Sequence, residues 1–146
     1  YLSLLIISIA FSLAGCASQQ LQSTIQPGVD INNLSSFYVV HFGEEKRGIH
    51  KMISDELNGM GFASSFGEEE NIPEDVDAIV RYVDNWQWDI TNYMIKIVIT
   101  MRDRDESLLA IGESFRTSLV RKSPPEMVRE VLMDIFKDNP NVATKQ

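Results

Sequence analysis

Apolar residues recur along the chain with two periods, one typical of strands and one typical of helices. The β-branched and aromatic run FYVVHF, at residues 37–42, predicts a buried strand. Residues 49–60 repeat their apolar positions every three or four residues, which predicts a helix with one buried face. That face consists of Ile49, Met52, Ile53, Leu57 and Met60. The following GFASSF, at residues 61–66, is compatible with a short strand.

Three longer strand-like segments follow, at residues 77–90, 92–101 and 107–120. The short polar turns between them force neighbouring strands to be antiparallel. A second helix is predicted after Ser123, because Ser123 and Glu126 have the spacing of a capping box and Pro124 suits the first helical position. Its apolar face consists of Met127, Val128, Val131, Leu132, Ile135 and Phe136. This order predicts an α+β two-layer sandwich, with two helices on one face of an antiparallel sheet of about four strands.

Alternation within the three long strands indicates which residues face the helices. The predicted core positions are Val80, Tyr82, Trp86, Trp88 and Ile90 in the first strand, Tyr93, Ile95, Ile97, Ile99 and Met101 in the second, and Leu109, Ile111, Phe115 and Leu119 in the third. The opposite face carries residues such as Arg81, Gln87, Lys96, Ser114 and Arg116. We therefore expect the open face of the sheet to be polar.

An uncharged segment precedes these elements. Residues 2–13, LSLLIISIAFSL, suit the apolar region of a secretory signal but are too short to span a membrane, which needs about 20 apolar residues. The segment shows neither an initiating Met nor a basic start, so we expect the sequence to begin inside the leader. It ends in Leu13-Ala14-Gly15-Cys16, which contains the only cysteine of the chain.

This motif resembles the lipobox of bacterial lipoproteins. The resemblance implies cleavage between Gly15 and Cys16 and a lipid on Cys16, whose thiol is the nucleophile that accepts diacylglycerol. Because Ala17 and not an aspartate would be the second mature residue, it also implies attachment to the periplasmic face of the outer membrane. The alternative is a buried structural cysteine.

We therefore expect a signal peptide at 1–15, a lipid-anchored tether at 16–36, one α+β domain at 37–139 and a tail at 140–146. The tether is rich in Gln, Ser and Asn, and as a flexible chain it would span about 25 Å. Lipobox, tether and small sandwich together resemble the small cell-envelope lipoproteins of Gram-negative bacteria. Some of these have no assigned function, and others assist machines that build or maintain the outer membrane.

Charge and motifs argue against several functions. The 146 residues carry a formal net charge of −8, which repels nucleic acid, so we expect no nucleic-acid partner. GEEKRG at 43–48 lacks the Lys and Ser/Thr of a phosphate loop, and we expect no cofactor. We also expect no metal, because the two histidines, His41 and His50, have no cysteine or third ligand at metal spacing.

Two acidic residues interrupt the predicted apolar face. Asp84 and Glu113 would lie diagonally across the middle strand if both hairpins have the expected registers. Paired carboxylates among aromatic residues suit acid and base roles, because burial raises the pKa of one of them. In the alternative interpretation, a bulge, a strand end or a hydrogen bond to a Trp indole or a Tyr hydroxyl accommodates either residue without a catalytic role.

Two further groups are candidates for binding. Trp86 and Trp88 are two residues apart in a strand, so their rings point the same way and either line a groove or fill the core. Arg116, Arg121 and Lys122 precede a helix start, where they either bind an anion or an acidic partner or form a solvated loop.

These features favour a lipid-anchored periplasmic module that binds or helps to assemble an unidentified envelope protein, and is not an enzyme. The alternative is a small envelope hydrolase or glycan-binding protein that uses the Trp86 and Trp88 region. Function inferred from a resemblance of fold is associational, and it carries no functional residue to this chain.

Overall fold

A six-stranded mixed sheet with helices on one face forms the framework of this computed structural model, which describes residues 18–143. The strands are β1 (Gln19–Ile25), β2 (Ser36–Val40), β3 (Ala63–Gly67), β4 (Ala78–Asp89), β5 (Thr91–Arg102) and β6 (Leu108–Arg116). The helices are α1 (Ile49–Met60), α2 (Pro124–Ile135) and the short α3 (Pro140–Ala143). Within residues 18–143, no helix is long and apolar enough to cross a membrane. The predicted signal peptide and the motif at 13–16 lie outside the described residues.

The strands are arranged in the order β1-β6-β5-β4-β2-β3. β4, β5 and β6 form the predicted antiparallel meander. By contrast, β2 runs parallel to both β3 and β4. The connection from β2 to β3 contains α1, which returns the chain to the end of the sheet where β2 begins. The α+β class is confirmed, whereas an antiparallel sheet of about four strands is only roughly right.

Part of the segment predicted to be a tether forms strand β1 of the sheet, at Gln19–Ile25. β1 pairs with β6 over its whole length, beginning with Gln19 opposite Arg116. Ile25 packs against the core, but Leu21 is 45% exposed, so the backbone ladder and not apolar burial defines this strand. An edge strand with one solvated side has little need for apolar alternation. The sheet therefore begins before the expected boundary at Phe37.

Both long helices bury the faces that their periodicity predicts. In α1 only Met52 of the predicted positions is half-buried, and all six positions around α2 are buried. The capping box of α2 is present, with the Ser123 N–H donating to the Glu126 carboxylate at 2.8 Å. α1 ends at Met60 and is capped by Gly61, whose φ of 101° lies in the left-handed region. The predicted tail contributes α3, in which Val142 is buried.

A β-bulge changes part of the predicted core. The register between β4 and β5 shifts after Asn85, so Trp86 lies opposite Met94 and Ile95 is the additional residue. Met94 therefore faces the helices and is fully buried. Tyr93, which simple alternation places on that face, is buried as predicted but on the opposite face. The rest of β5 keeps the predicted buried positions, namely Ile97, Ile99 and Met101.

The two faces of β6 are the reverse of those predicted. Gly112 lies directly beneath α2, and a Cβ at this position would be 2.7 Å from Val131 Cγ1 and 2.9 Å from Ile135 Cδ1. Because the helix approaches so closely, the helix-facing positions of β6 are small: Ala110, Gly112 and Ser114. Of the large apolar residues predicted to be core, Ile111 and Phe115 lie on the other face and are only half-buried. Leu109 is the additional residue at a second register shift, and it is half-buried against the core.

The open face of the sheet is partly apolar, contrary to expectation. A second apolar cluster lies beside β2, and Ile72 from the acidic loop of residues 68–75 packs against it. The Tyr38 hydroxyl donates to the Glu68 carbonyl at 3.0 Å, which fastens the loop over the cluster. The buried members are Tyr38, Val40, Val76 and Ile79.

We expect Gly112→Ala to lower the free energy of unfolding by about 2 kcal/mol, because the added methyl group overlaps two side chains of α2. Gly59→Ala is the matched control. A Cβ at Gly59 meets nothing within 4 Å outside its own helix, and Ala stabilises a helix by up to about 1 kcal/mol relative to Gly. Urea denaturation measures both changes, and equal stability of the two variants would contradict the close packing of α2.

Candidate functional site

One end of the sheet gathers most of the predicted site residues. β4 ends and β5 begins there, so residues 88–91 form the tip of a long hairpin. The same end contains the 3-10 turn Ser118–Val120 after β6, and Ser18, where the described chain begins. We call these three parts together the hairpin end.

Arg121 joins the turn to the hairpin tip. Its Nε donates to the Ser118 carbonyl at 3.1 Å, and its Nη1 donates to the Thr91 hydroxyl at 3.3 Å. Its Nη2 lies 3.7 Å from an Asp89 carboxylate oxygen, and its guanidinium carbon lies 4.7 Å from the centre of the Tyr93 ring. One side chain thus contacts four residues and holds two loops together.

Ser18 is fastened to the loop that follows β6. The Thr117 N–H donates to the Ser18 carbonyl at 3.1 Å, and the Ser18 N–H donates to the Thr117 hydroxyl at 3.2 Å. Arg116 Nη1 also donates to Gln19 Oε1 at 2.8 Å. The first described residue therefore lies beside the turn that Arg121 connects to the hairpin tip.

Three large apolar side chains protrude from the hairpin end. Trp88, Ile90 and Leu119 are 73%, 85% and 76% exposed. Ile90 also has a φ of 63°, a left-handed conformation that is unusual for a β-branched residue. Apolar side chains grouped on an exposed surface are typical of a contact with a partner or a membrane.

Trp86 and Trp88 have different environments. Trp86 packs against the core, its Nε1–H donates to Asp84 Oδ2 at 2.6 Å, and the Arg47 guanidinium lies 4.1 Å from its ring centre. Trp88 is two residues nearer the tip and is mostly exposed. Trp86 is therefore tied into the domain, and Trp88 is the ring that a ligand or partner would reach first.

The predicted pair of carboxylates is not formed. Asp84 lies opposite Ile97 on the helix-facing side of the sheet. Glu113 lies opposite Val98, the next residue along β5, and so points to the open face. There it forms an ion pair with Lys96 at 3.0 Å. The hypothesis of paired acid and base roles is wrong, because the faces of β6 are reversed.

The predicted basic cluster has acidic partners inside the domain. Arg116 makes a two-point contact with Glu130, at 2.8 Å from Nε and 2.7 Å from Nη2, and Lys122 Nζ lies 2.6 Å from the same carboxylate. Burial raises the pKa of Glu130, but hydrogen bonds from Arg116, Lys122 and Ser114 outweigh burial and lower it to about 2. Arg121 is paired with Asp89, so the three cations lie beside two carboxylates of the domain, and the binding of an anion or acidic partner stays a prediction.

A second cluster lies beyond the ends of the parallel strands β2 and β3 and is centred on Glu45, which is buried. Its carboxylate accepts the N–H groups of Arg47 and Ile49, the latter at 3.1 Å, and the Tyr82 hydroxyl at 3.2 Å. Burial raises the pKa of Glu45, but the two N–H groups and the smaller contributions of His50 and Tyr82 outweigh it, so its pKa is lower than usual. Glu45 thereby caps α1 from outside the helix.

Both histidines contact Glu45, His41 at the backbone carbonyl oxygen and His50 at the carboxylate. His41 Nδ1 is 2.8 Å from Glu68 Oε1, and its Nε2 is 2.9 Å from the Glu45 carbonyl oxygen. The hydrogen bond to the Glu45 carbonyl, followed by that to Glu68, raises the pKa of His41. The His50 ring centre lies 4.2 Å from that of His41, and His50 Nδ1 lies 3.4 Å from Glu45 Oε2.

The structure therefore supplies the third group whose absence argued against a metal site. One ligand atom from each of His41, Glu45 and His50 lies within 4.8 Å of the others. His41 follows the end of β2, Glu45 lies in the loop, and His50 lies at the start of α1. Such a spacing matches no metal motif, and only the fold of the loop brings the three groups together.

Comparisons with known proteins concern the fold. No known protein family and no curated protein matches the sequence. Two structures of the PelC dodecamer from Paraburkholderia phytofirmans are similar, each with a TM-score of 0.58 and each covering 81% of this chain. One, a point variant, is 11% identical and is covered over 97% of its length; the other is 10% identical and is covered over 98%. At these identities the similarity shows a shared fold.

We expect Glu130→Gln to lower the free energy of unfolding at pH 7 by about 2 kcal/mol, because Arg116 and Lys122 lose their charged acceptor. The pKa of Glu130 is lower in the folded protein than its ordinary value of 4.5. Its contribution to stability is therefore present above about pH 4.5 and is lost as the pH falls toward 2. Thermal unfolding across this interval should show a smaller loss in the variant than in the wild type.

Glu113→Gln is the control for this measurement. It removes a carboxylate from the open face, where an ion pair with Lys96 contributes between about 0 and 1 kcal/mol. Similar pH profiles for the Glu130 and Glu113 variants would contradict the assigned role of Glu130.

Proposed function

We propose that the protein is a lipid-anchored periplasmic module of the bacterial envelope, which binds or helps to assemble other components, and that its hairpin end faces the bilayer. The observation that carries this proposal is the hydrogen bonding between Ser18 and Thr117. Cys16 precedes Ser18 by two residues, which span about 7 Å when fully extended. A lipid on Cys16 would therefore hold the hairpin end at the membrane surface, without the separation of about 25 Å expected of a flexible tether.

The side chains of the hairpin end suit the interface between water and lipid. Tryptophan is enriched at that interface, and Ile90 and Leu119 are aliphatic groups that favour the acyl region. Asp89 is the acidic residue at the tip, and its carboxylate is 3.7 Å from Arg121 Nη2. The tip thus carries little net charge, although the chain as a whole is acidic.

The shared fold with PelC supports the assembly part of the proposal. The PelC structures are dodecamers, and we propose that copies of this chain also associate. Within the described sheet β1 and β3 each pair on one side only. A strand edge of this kind is a site to which another chain can add by backbone hydrogen bonding. Such an assembly of copies would in turn bind a different protein of the envelope.

Glycan binding remains the second candidate, favoured by the exposed ring of Trp88. The two functions differ in what would change the environment of that ring. A soluble oligosaccharide would change the environment of the Trp88 ring if the protein binds glycans, and a phospholipid bilayer would change it if the hairpin end faces the membrane.

We expect Cys16→Ser to abolish incorporation of labelled fatty acid and to leave the signal peptide attached. Cys16 is the only cysteine, so no other thiol of the chain can accept the lipid. Metabolic labelling followed by separation of inner and outer membranes measures both effects. Incorporation of label into the variant would contradict lipidation at Cys16, and wild-type protein in the inner membrane would contradict the proposed location.

We expect Trp88 to contact the bilayer when the protein is reconstituted into phosphatidylcholine vesicles. In the variant Trp86→Phe, Trp88 is the sole tryptophan, and its emission should shift to shorter wavelength and be quenched by brominated acyl chains. Trp88→Phe is the matched control, because it leaves only the half-buried Trp86. Emission from Trp88 that responds to oligosaccharide and not to vesicles would favour glycan binding, and emission that is quenched equally in both variants would contradict the orientation.

A further inference from the structure

The cluster of His41, Glu45 and His50 lies where parallel strands commonly hold ligands. His41 follows the end of β2, and Glu68, which contacts it, follows the end of β3. In sheets with parallel strands, ligands bind beyond the carboxyl ends of those strands. The loop of residues 41–48 connects this edge to α1 and contributes Glu45 from its middle.

Glu45 and His50 already have the spacing of two ligands of one ion. Their nearest atoms, Glu45 Oε2 and His50 Nδ1, are 3.4 Å apart. This distance is longer than a normal hydrogen bond of about 2.7–3.2 Å. It corresponds to the separation, about 3.4 Å, of two atoms that each lie about 2.1 Å from a tetrahedral zinc ion.

His41 is oriented in the way that metal-binding histidines usually are. Its Nδ1 contacts the Glu68 carboxylate at 2.8 Å, an outer contact that fixes the ring and leaves Nε2 as the coordinating nitrogen. Nε2 now contacts the Glu45 carbonyl oxygen at 2.9 Å. The ligand atoms of the three residues are within 4.8 Å of one another, so their separations need to shorten by at most about 1.4 Å to reach the roughly 3.4 Å of two ligands of a tetrahedral zinc ion.

The remaining contacts of Glu45 are compatible with coordination. The N–H groups of Arg47 and Ile49 and the Tyr82 hydroxyl hold the carboxylate in place. A carboxylate has about four acceptor positions, so an ion would replace the long contact of the Glu45 carboxylate with His50 and leave its other three in place. It would also replace the contact of His41 Nε2 with the Glu45 carbonyl oxygen. The side chains of His41 and His50 are 21% and 17% exposed, which gives an ion and a water molecule access from solvent.

We propose that His41, Glu45 and His50 bind one divalent transition-metal ion, with zinc favoured by the donor set of two imidazoles and one carboxylate. Three protein ligands leave the fourth tetrahedral position for water. The ion would join the end of β2 to the start of α1 through the loop between them. This inference does not depend on the proposed lipid anchor.

Calorimetric titration of the untagged, chelator-treated full chain with zinc chloride tests the site. We expect one equivalent to bind and the melting temperature to rise. His50→Gln should weaken binding by at least about tenfold, and Glu68→Gln, which removes only the outer contact of His41, should also weaken it by about tenfold. Glu44→Gln is the matched control, because Glu44 is exposed and adjacent to Glu45, and it should bind zinc like the wild type.

Substitution with Co²⁺ provides a second measurement that reads coordination directly. The wild type should show the visible absorption of tetrahedral Co²⁺, and His50→Gln should lose it while retaining the far-ultraviolet circular dichroism of the metal-free fold. An absence of saturable zinc binding would overturn the proposal. Undiminished binding by His50→Gln would overturn it as well.

Discussion

The close approach of α2 to Gly112 determines how the sheet presents its two faces. Because a side chain at this position would overlap Val131, only small residues of β6 fit beneath the helix. Alternation along the strand then directs two large apolar residues of β6, and Glu113 between them, to the open face. The same packing brings Glu130 of α2 within 2.7 Å of Arg116 at the end of β6. One steric limit therefore decides which side chains of β6 face the helices and which face the open side of the sheet.

The two candidate sites arise from different parts of the same sheet. The hairpin end exists because β4 and β5 pair for several residues beyond Lys96, the position at which β6 leaves β5. The cluster around Glu45 exists because a helical crossover returns β3 parallel to β2 and leaves a loop beyond the strand ends. A membrane contact and a metal site in these two places would not compete, since they use separate residues.

Local features of the fold could be predicted well from the sequence, and contacts between distant segments could not. Both helices, the capping box at Ser123 and the three-strand meander depend on residues within a few positions of each other. The bulge that turns Met94 toward the core, the pairing of β1 and the grouping of His41 with Glu45 and His50 depend on register and loop closure. The polar strand β1 is an example of a contact between distant segments, because it pairs with β6 through backbone hydrogen bonds and its side chains do not show the alternation that would predict a strand.

The sequence by itself determined where helices and strands form, because periodic burial of apolar residues is a property of each segment and needs no knowledge of its partners. It also contained the lipobox-like motif at 13–16, which carries the expectation of a lipid anchor. Only the tertiary structure decided which face of β6 is buried, which carboxylate neutralises Arg116 and how near Ser18 lies to the hairpin tip. These outcomes depend on how closely a helix can approach a strand and on which strands become neighbours, and both are set by the packing of the whole domain.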